Sequence, residues 1–301
     1  MPSANTLYRG RFAPSPTGPL HLGSLIAALA SFLDARHCGG RWLVRMEDLD
    51  PPREQPGAAD SILHSLQSHG LHWDGEVLYQ STRSAAYSAA RHELLQAGLL
   101  FSCDCGRTAL TPAGCCSGDC RTRQSEIFHT PHAIRVTVPP HCQIEFTDLL
   151  QGRQHAALGE SLPNFVIRRK DGLDAYQLAV VVDDAEQGIT HVLRGSDLLD
   201  SSPRQIFLQQ QLSYSQPAYC HLPVITTRLG QKFSKQNQAP ALIDDEAEQN
   251  LRRALRFLHQ MEPPASVAGV EQILAYATEH WALQQVPATL AIAAHSIGLS
   301  T

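Results

Sequence analysis

Lysine is nearly absent from this 301-residue chain: of 24 basic residues only Lys170, Lys232 and Lys235 are lysines, so each marks a position rather than a bulk charge. There is no excess of positive charge either. A net charge of −5 gives no general polyanion-binding face, and a nucleic-acid ligand would need a local basic surface. No apolar run approaches the ~18 residues that a membrane-spanning helix needs. The segment Met1-Pro2-Ser3-Ala4-Asn5 lacks the apolar core of a signal peptide. These absences argue against a membrane or secreted protein and lead to the expectation of a cytoplasmic one. With 43% hydrophobic and 18% charged residues, the composition is that of an ordinary globular protein able to bury a large core.

A disulfide framework is also missing. Five of the eight cysteines (Cys103, Cys105, Cys115, Cys116 and Cys120) fall within one short stretch, and Cys38, Cys142 and Cys220 stand alone. Such clustering in a chain of this size reads as metal chemistry in a reducing compartment. The isolated three read as small buried hydrophobes. A structural zinc site wants four N or S ligands disposed tetrahedrally. Cys103-x-Cys105 followed by Cys116-x-x-x-Cys120 supplies four, with Cys115 the rival for the third place because adjacent cysteines rarely bind one ion.

Along the chain, a short strand from Leu7 to Phe12 runs into the proline-rich loop Ala13 to Pro19, which cannot be regular structure. Leu22, Leu25, Ile26, Leu29, Phe32 and Leu33 then follow helical spacing as far as Gly39-Gly40. Arg41 to Met46 reads as a buried strand ending in the acidic Glu47-Asp48-Leu49-Asp50, and a second helix spans Pro56 to Gly70. Strand, loop, helix, strand, acidic loop, helix is the rhythm of a parallel α/β sheet. Ligands of such sheets gather at the carboxyl ends of the strands, where both unusual loops fall. The middle breaks the rhythm with the cysteines and with alternating strands at Ile134 to Val138 and Gln143 to Phe146. The pattern resumes with the apolar run Leu178 to Val182, read as a buried strand beside Tyr176, and with Ile189 to Leu193. Ser202-Pro203 then starts a helix, with Ser202 as its cap. Beyond Lys235 the chain reads as helical, with Leu251, Leu255 and Leu258 at helical spacing.

Two loops carry chemistry. The turn that delivers His21-Leu22-Gly23-Ser24 into a helix start sets backbone N–H groups and the helix dipole against an anion. Gly23 lets a ligand approach the backbone, and His21 can donate to a phosphate oxygen as its charge develops. Far downstream, Lys232-Phe233-Ser234-Lys235-Gln236 holds two of the three lysines around a serine. Two ammonium groups on one loop suit a pentacoordinate phosphate and a leaving pyrophosphate.

Together the two loops resemble the paired signatures of class I aminoacyl-tRNA synthetases, and Arg11 to Gly23, Arg45 to Asp50 and Gly188 to Arg204 resemble the glutamyl branch. The resemblance covers residues 7 to 240. The remaining C-terminal stretch is too short for a large anticodon-binding region, and this, with the cysteine-rich insertion, resembles the glutamyl-queuosine tRNA(Asp) synthetase family. In that family glutamate is attached to the queuosine base in the anticodon of tRNA(Asp).

The resemblance implies a Rossmann-like α/β catalytic domain with a zinc-containing insertion and a short helical C-terminal part. Its first half would occupy residues 1–99, the inserted lobe 100–175, the second half with the lysine loop 176–240 and the helical region 241–301. It implies an ATP-dependent ligase acting as a monomer on L-glutamate, ATP with Mg²⁺, and queuosine-containing tRNA(Asp). Glutamate contacts map onto Arg11, Phe12, Ala13, Pro14, Ser15, Glu47, Tyr176 and Arg194. Glu47 would take the α-ammonium, Arg11 and Arg194 the carboxylates and Tyr176 a hydrogen bond; arginine suits carboxylates through its bidentate fork. ATP would meet His21, Gly23, Ser24 and Lys235, with His21, Lys232 and Lys235 catalytic. The family places its third zinc ligand at Cys116, giving Cys103, Cys105, Cys116 and Cys120 around a structural ion. Ser24 stands where many class members have histidine, and Phe233 and Gln236 where Met and Ser are common. Arg168-Arg169-Lys170 and Arg252, Arg253 and Arg256 are possible phosphate contacts to tRNA. The competing readings are a shortened glutamyl-tRNA synthetase charging tRNA(Glu), a non-catalytic tRNA-binding relative, and another nucleotidyltransferase.

Overall fold

The parallel sheet begins where the sequence alternation places it. In the computed structural model, which describes residues 7–122, 131–227 and 240–294, β1 (Arg9–Phe12) leads through the proline-rich loop into α1 (Leu22–His37). Leu25, Leu29 and Leu33 of α1 are wholly buried against the sheet. The helix ends because Gly39 takes the left-handed backbone (φ +63°) and Gly40 passes so close to Tyr8 that a Cβ would sit 2.4 Å from its carbonyl oxygen. The chain then enters β2 (Arg41–Met46), which pairs with β1 in parallel from Arg9↔Arg41 to Phe12↔Val44. After α2 (Ala58–Ser68), β3 (Leu78–Tyr79) adds to the outer edge of β2, and α3 (Ser84–Gln96) follows.

The chain next leaves the parallel sheet. An antiparallel trio forms from β4 (Leu100–Cys103), β5 (Ala133–Thr137) and β8 (Asn164–Arg168), with the short α4 (Asp119–Thr122) beside the cysteines. A hairpin of β6 (Ile144–Asp148) and β7 (Gly152–Ala156), then α5 (Leu158–Ser161), lies between β5 and β8. The insertion is not insulated from the rest: Val136, Phe165, Leu178, Val182 and Phe207 share one buried cluster.

The chain returns through α6 (Tyr176–Glu186), β9 (His191–Gly195), α7 (Ser202–Gln211), β10 (Ala218–Leu222) and β11 (Val224–Thr226). β10 pairs with β9 in parallel, and the Thr190 N–H donates to the Arg9 carbonyl at 2.9 Å, setting β9 beside β1 on the side away from β2. The spatial order is therefore β3-β2-β1-β9-β10. The chain winds outward in opposite senses from β1, and a crevice opens at the carboxyl ends of β1 and β9.

Four expectations need correction. Of the isolated cysteines only Cys220 is buried, while Cys38 at the end of α1 is exposed and Cys142 is half-buried. The run Leu178 to Val182 is helical, inside α6, not a strand. Every residue from Leu178 to Asp184 is buried, so over that run the helix turns no face to solvent and its apolar stretch looks the same as that of a buried strand. Ser201, not Ser202, occupies the cap position of α7; the Ser202 hydroxyl turns inward to the site. The C-terminal part holds α8 (Ala247–Phe257) and α9 (Val270–Glu279), but also β12 (Ala291–Ala293), which pairs in parallel with β11. α8 and α9 pack on α1, and Leu251, Leu255 and Ile273 join the core of the first sheet. Tyr8 and Trp281 both donate to the Asp34 carboxylate, the indole at 2.8 Å, which ties the C-terminal part to α1 and β1. Among the described residues no helix is long and apolar enough to cross a membrane.

Candidate active site and cysteine cluster

A cavity of about 800 Å³ occupies the crevice at the strand ends. Arg11, Phe12, Ala13, Pro14 and Ser15 reach it from the end of β1, and Glu47 from the end of β2. Tyr176 at the start of α6 and Arg194 near the end of β9 close it on the other side. His21, Gly23 and Ser24 line it at the start of α1. The eight residues assigned to glutamate thus meet in one cavity, together with three of the four assigned to ATP. The fourth, Lys235, lies with Lys232 outside the described residues. The chain beyond that segment is placed by an antiparallel bridge between His21 and Ala241 and by the Leu242 N–H donating to the Leu20 carbonyl at 2.9 Å.

Sequence order explains the His21 geometry. As N-cap of α1 in extended conformation, His21 accepts through Nδ1 from the Ser24 N–H at 3.3 Å, and the Ser24 hydroxyl lies 3.2 Å from Nε2. The serine that replaces a second imidazole therefore pins the first one. His21 is 8% exposed, at the cavity wall beneath the helix N-terminus, where an anion is favoured.

The charged floor is a buried alternation. Asp184 on α6 accepts from Arg11 Nε at 3.2 Å and from Arg45 Nη1 at 2.7 Å, and Arg45 Nη2 faces Glu47 Oε1 at 3.6 Å. Burial alone would raise the Asp184 pKa, but Arg11 and Arg45 overcome it and hold the carboxyl below its ordinary value. Glu47 goes the other way: burial raises its pKa, and Arg45, Arg11 and Arg194 only partly offset that. A carboxylate so placed gains by meeting a further cation, which is what a substrate ammonium supplies.

Arg194 is held from four directions. Its Nε donates to His221 Nε2 at 3.0 Å, one Nη donates to Ser202 Oγ at 2.8 Å and the other to the Tyr176 hydroxyl at 3.5 Å. The guanidinium also lies 5.3 Å from the Tyr219 ring centroid. Burial raises the Tyr176 pKa, so its hydroxyl stays protonated.

Sequence reading missed Arg45, Asp184, Ser202 and His221. Arg45 in Trp42 to Met46, Asp184 after Val180 to Val182 and His221 between Cys220 and Leu222 carried one signal, a charged or polar residue in or against an apolar run, which needs a buried partner; Ser202, in the polar stretch Asp200 to Arg204, carried none. The partner's identity is a matter of tertiary structure.

Cys103, Cys105, Cys116 and Cys120 converge, all four sulfurs lying within 4.8 Å of one another. Cys105 Sγ is 3.8 Å from Cys116 Sγ and 3.4 Å from Cys120 Sγ. A tetrahedral ion with Zn–S bonds of about 2.3 Å needs sulfurs roughly 3.8 Å apart, so the set fits zinc. Cys115 is buried but stands outside the group. Asn164 fixes the neighbouring Cys116 peptide by accepting from its N–H at 3.0 Å and donating to its carbonyl at 2.9 Å. Lys170, the one described lysine, donates to the Asp104 carbonyl between the first two cysteines at 2.7 Å.

The basic residues considered for tRNA phosphates are engaged within the chain. Arg169 bonds Asp50 and Asp171, Arg168 the Gly172 carbonyl, and Arg252 the carbonyls of Pro263 and Val267. Arg253 and Arg256 pair with Glu246 and Glu262.

Comparison with known proteins agrees with this architecture. Residues 8–258 match the family described as tRNA synthetases class I (E and Q), catalytic domain. A glutamyl-Q tRNA(Asp) synthetase of Pseudomonas fluorescens is 50% identical over 295 residues, covering 96% of this chain and 97% of the relative. One of Neisseria meningitidis is 49% identical over 290 residues, covering 93% and 98%. The chain belongs to the glutamyl-Q tRNA(Asp) synthetase family. Its fold is shared with the crystal structure of glutamate-tRNA synthetase from Elizabethkingia anophelis, at 24% identity and a TM-score of 0.78 over 97% of this chain and 69% of that one. Within the family's class I catalytic domain, the cavity at the β1/β9 crevice occupies the place where parallel α/β sheets bind their ligands.

Proposed function

We propose that this protein activates L-glutamate with ATP and transfers it to the queuosine base in the anticodon of tRNA(Asp). The observation that carries the first step is the meeting of Arg11, Arg194 and Glu47 in one cavity beneath the His21 helix start. Glutamate has one ammonium and two carboxylates, and two guanidinium groups with one carboxylate complement it. Glu47 takes the α-ammonium, Arg11 and Arg194 take carboxylates, and Tyr176 donates its hydroxyl. Phe12, Ala13, Pro14 and Ser15 shape the wall.

ATP, with Mg²⁺ as its substrate partner, lies against Gly23, Ser24 and the α1 N-terminus. The glutamate α-carboxylate oxygen attacks the α-phosphorus, the bond to the bridging oxygen breaks and pyrophosphate leaves. His21, Lys232 and Lys235 neutralise charge on the phosphoryl group during that displacement. A queuosine hydroxyl then attacks the glutamyl carbonyl, loses its proton and displaces AMP. This second step rests on the names of relatives about 50% identical over nearly the whole chain.

Cys103, Cys105, Cys116 and Cys120 would hold zinc as a structural staple of residues 100–175, since four thiolates leave no position for a reactant. Residues 1–99 and 176–240 together build the catalytic half, and 241–301 buttress it. A tRNA substrate and reduced thiols accord with a cytoplasmic protein. The test is ATP–pyrophosphate exchange in the presence of tRNA: exchange dependent on L-glutamate and indifferent to glutamine or aspartate supports the assignment, and exchange driven by another amino acid refutes it.

A further inference from the structure

Behind Arg194 lies a pair of side chains that no step above uses. His221 on β10 and Asp148 at the end of β6 are both wholly buried, with His221 Nδ1 2.6 Å from Asp148 Oδ2. The other carboxylate oxygen, Oδ1, accepts three backbone N–H groups, from Leu150 at 3.0 Å, Gln151 at 2.9 Å and His221 itself at 3.2 Å. On the far side of the imidazole, Nε2 faces two donors, Arg194 Nε–H at 3.0 Å and the Ser202 hydroxyl at 3.2 Å.

These contacts leave one consistent proton arrangement. Arg194 has only donors, so Nε2 must be the bare, accepting nitrogen. The single proton of the neutral ring then sits on Nδ1 and is donated to Asp148. Burial, together with Arg194 and Arg11 nearby, disfavours the cationic ring against the opposing pull of Asp148, in keeping with a neutral imidazole.

The geometry points to Asp148 and His221 as positioning residues for glutamate: Asp148 selects the Nδ1-protonated form of His221, and that form holds Arg194 in the orientation that receives a substrate carboxylate. This rests on the glutamate reading of the cavity. It also gives the inserted lobe a part in the amino-acid site, because Asp148 belongs to the hairpin between β5 and β8 while Arg194 and His221 belong to the parallel strands. The two sit 73 and 27 residues from His221 in sequence, so neither relation is local.

Asp148→Asn is the informative change. The carboxamide oxygen stays with the three backbone N–H groups, which places the NH₂ against His221 Nδ1. Nδ1 must then accept, the ring proton moves to Nε2 and it points at the Arg194 N–H. Arg194 loses its seat without any change in shape.

Two measurements on the full chain test this. Nitrogen-15 spectra of histidine-labelled protein, with His221 assigned by the loss of its signals in His221→Gln, should show a protonated Nδ1 and a bare Nε2. In Asp148→Asn the two should exchange. In pyrophosphate exchange with tRNA present, Asp148→Asn should raise KM for glutamate roughly tenfold or more, the cost of unpairing a buried donor, and leave KM for ATP unchanged. A merely structural role would lower melting temperature and active fraction while moving neither KM. A protonated Nε2 in the wild-type protein overturns the proposal, as does a tautomer exchange with glutamate KM unaltered. Should Asp148→Asn fail to fold, His221→Gln removes the imidazole between Asp148 and Arg194, and it too should raise KM for glutamate alone; an unchanged KM counts against the relay. Absence of glutamate-dependent exchange in the wild-type protein would remove the glutamate reading itself, whereas the wrong tautomer in an active enzyme removes only the relay.

Discussion

Arg11 and Asp184 meet through a 3.2 Å contact between Nε and Oδ1 although 173 residues separate them in sequence. The contact joins the end of β1 to α6, and so joins the two halves of the catalytic fold at the floor of the cavity. Asp184 also holds Arg45, which is wholly buried. Without Asp184, two guanidinium groups would face each other in a dry interior.

Asp184→Asn should therefore act on stability and substrate at once. Removing one partner of a buried ion pair costs about 3–5 kcal/mol, and the same change frees Arg11 to move. Urea unfolding should show the loss, and KM for glutamate should rise more than KM for ATP. A variant with unchanged unfolding midpoint and unchanged KM would contradict the arrangement described.

Metal content separates the two adjacent cysteines. The protein should carry one zinc per chain, lost on Cys103→Ser or Cys120→Ser. Cys115→Ser should keep its metal, because that sulfur stands outside the cluster. Elemental analysis of the three purified variants decides this, and metal loss in Cys115→Ser would reassign the third ligand.

The C-terminal part should matter for stability without touching catalysis. Asp34 accepts from Tyr8 on one oxygen and from Trp281 on the other. In Asp34→Asn one of these donors must face an NH₂ group, at a cost of about 1–3 kcal/mol. Thermal unfolding should shift down while both KM values stay at wild-type level; a shift in KM for glutamate would show that α1 transmits the change to the cavity.

The acid side of the pH profile carries two opposite signs. Asp184 and Asp148 have folded-state pKa values below their ordinary ones: burial raises each, and the arginines around Asp184 and the hydrogen bonds to Asp148 overcome it. Their contribution to stability is complete above the unfolded value of about 4 and is lost as pH falls through the lowered folded values. Glu47, raised by burial, opposes folding when ionised, and this cost is relieved as pH falls. Protonation of Glu47 should thus precede acid unfolding. KM for glutamate should climb as pH falls toward the raised pKa of Glu47, while the fold is intact. Glu47→Gln should raise KM at every pH and flatten its pH dependence. A wild-type KM that stays flat down to the unfolding edge would argue against Glu47 as the ammonium partner.

Much of the site was legible because its residues sit at strand ends and helix starts, where local pattern and loop composition agree. Arg11, His21 and Glu47 each end or follow a short strand or open a helix, and backbone rules alone send such positions to one edge of a parallel sheet. The cysteine spacing was equally plain, though it could not separate Cys115 from Cys116, whose peptide is fixed by Asn164 from a strand 48 residues away. What could not be read is what lies behind those residues. Leu178 to Val182 looks the same as strand or as buried helix, and only as a helix does it carry Asp184 to Arg11. Asp148 ends an ordinary alternating strand and His221 lies in a strand buried almost throughout, and their pairing depends on how the hairpin β6–β7 docks against β10. The strand β12 was hidden because three residues beside a proline-containing loop carry too little periodicity to register.

The most direct test of the central claim is incorporation of labelled glutamate, with ATP, into tRNA from cells with and without queuosine. Label confined to queuosine-containing tRNA(Asp) is the predicted result. Label on tRNA(Glu) in both preparations would contradict it and make the protein a glutamyl-tRNA synthetase of unusual length.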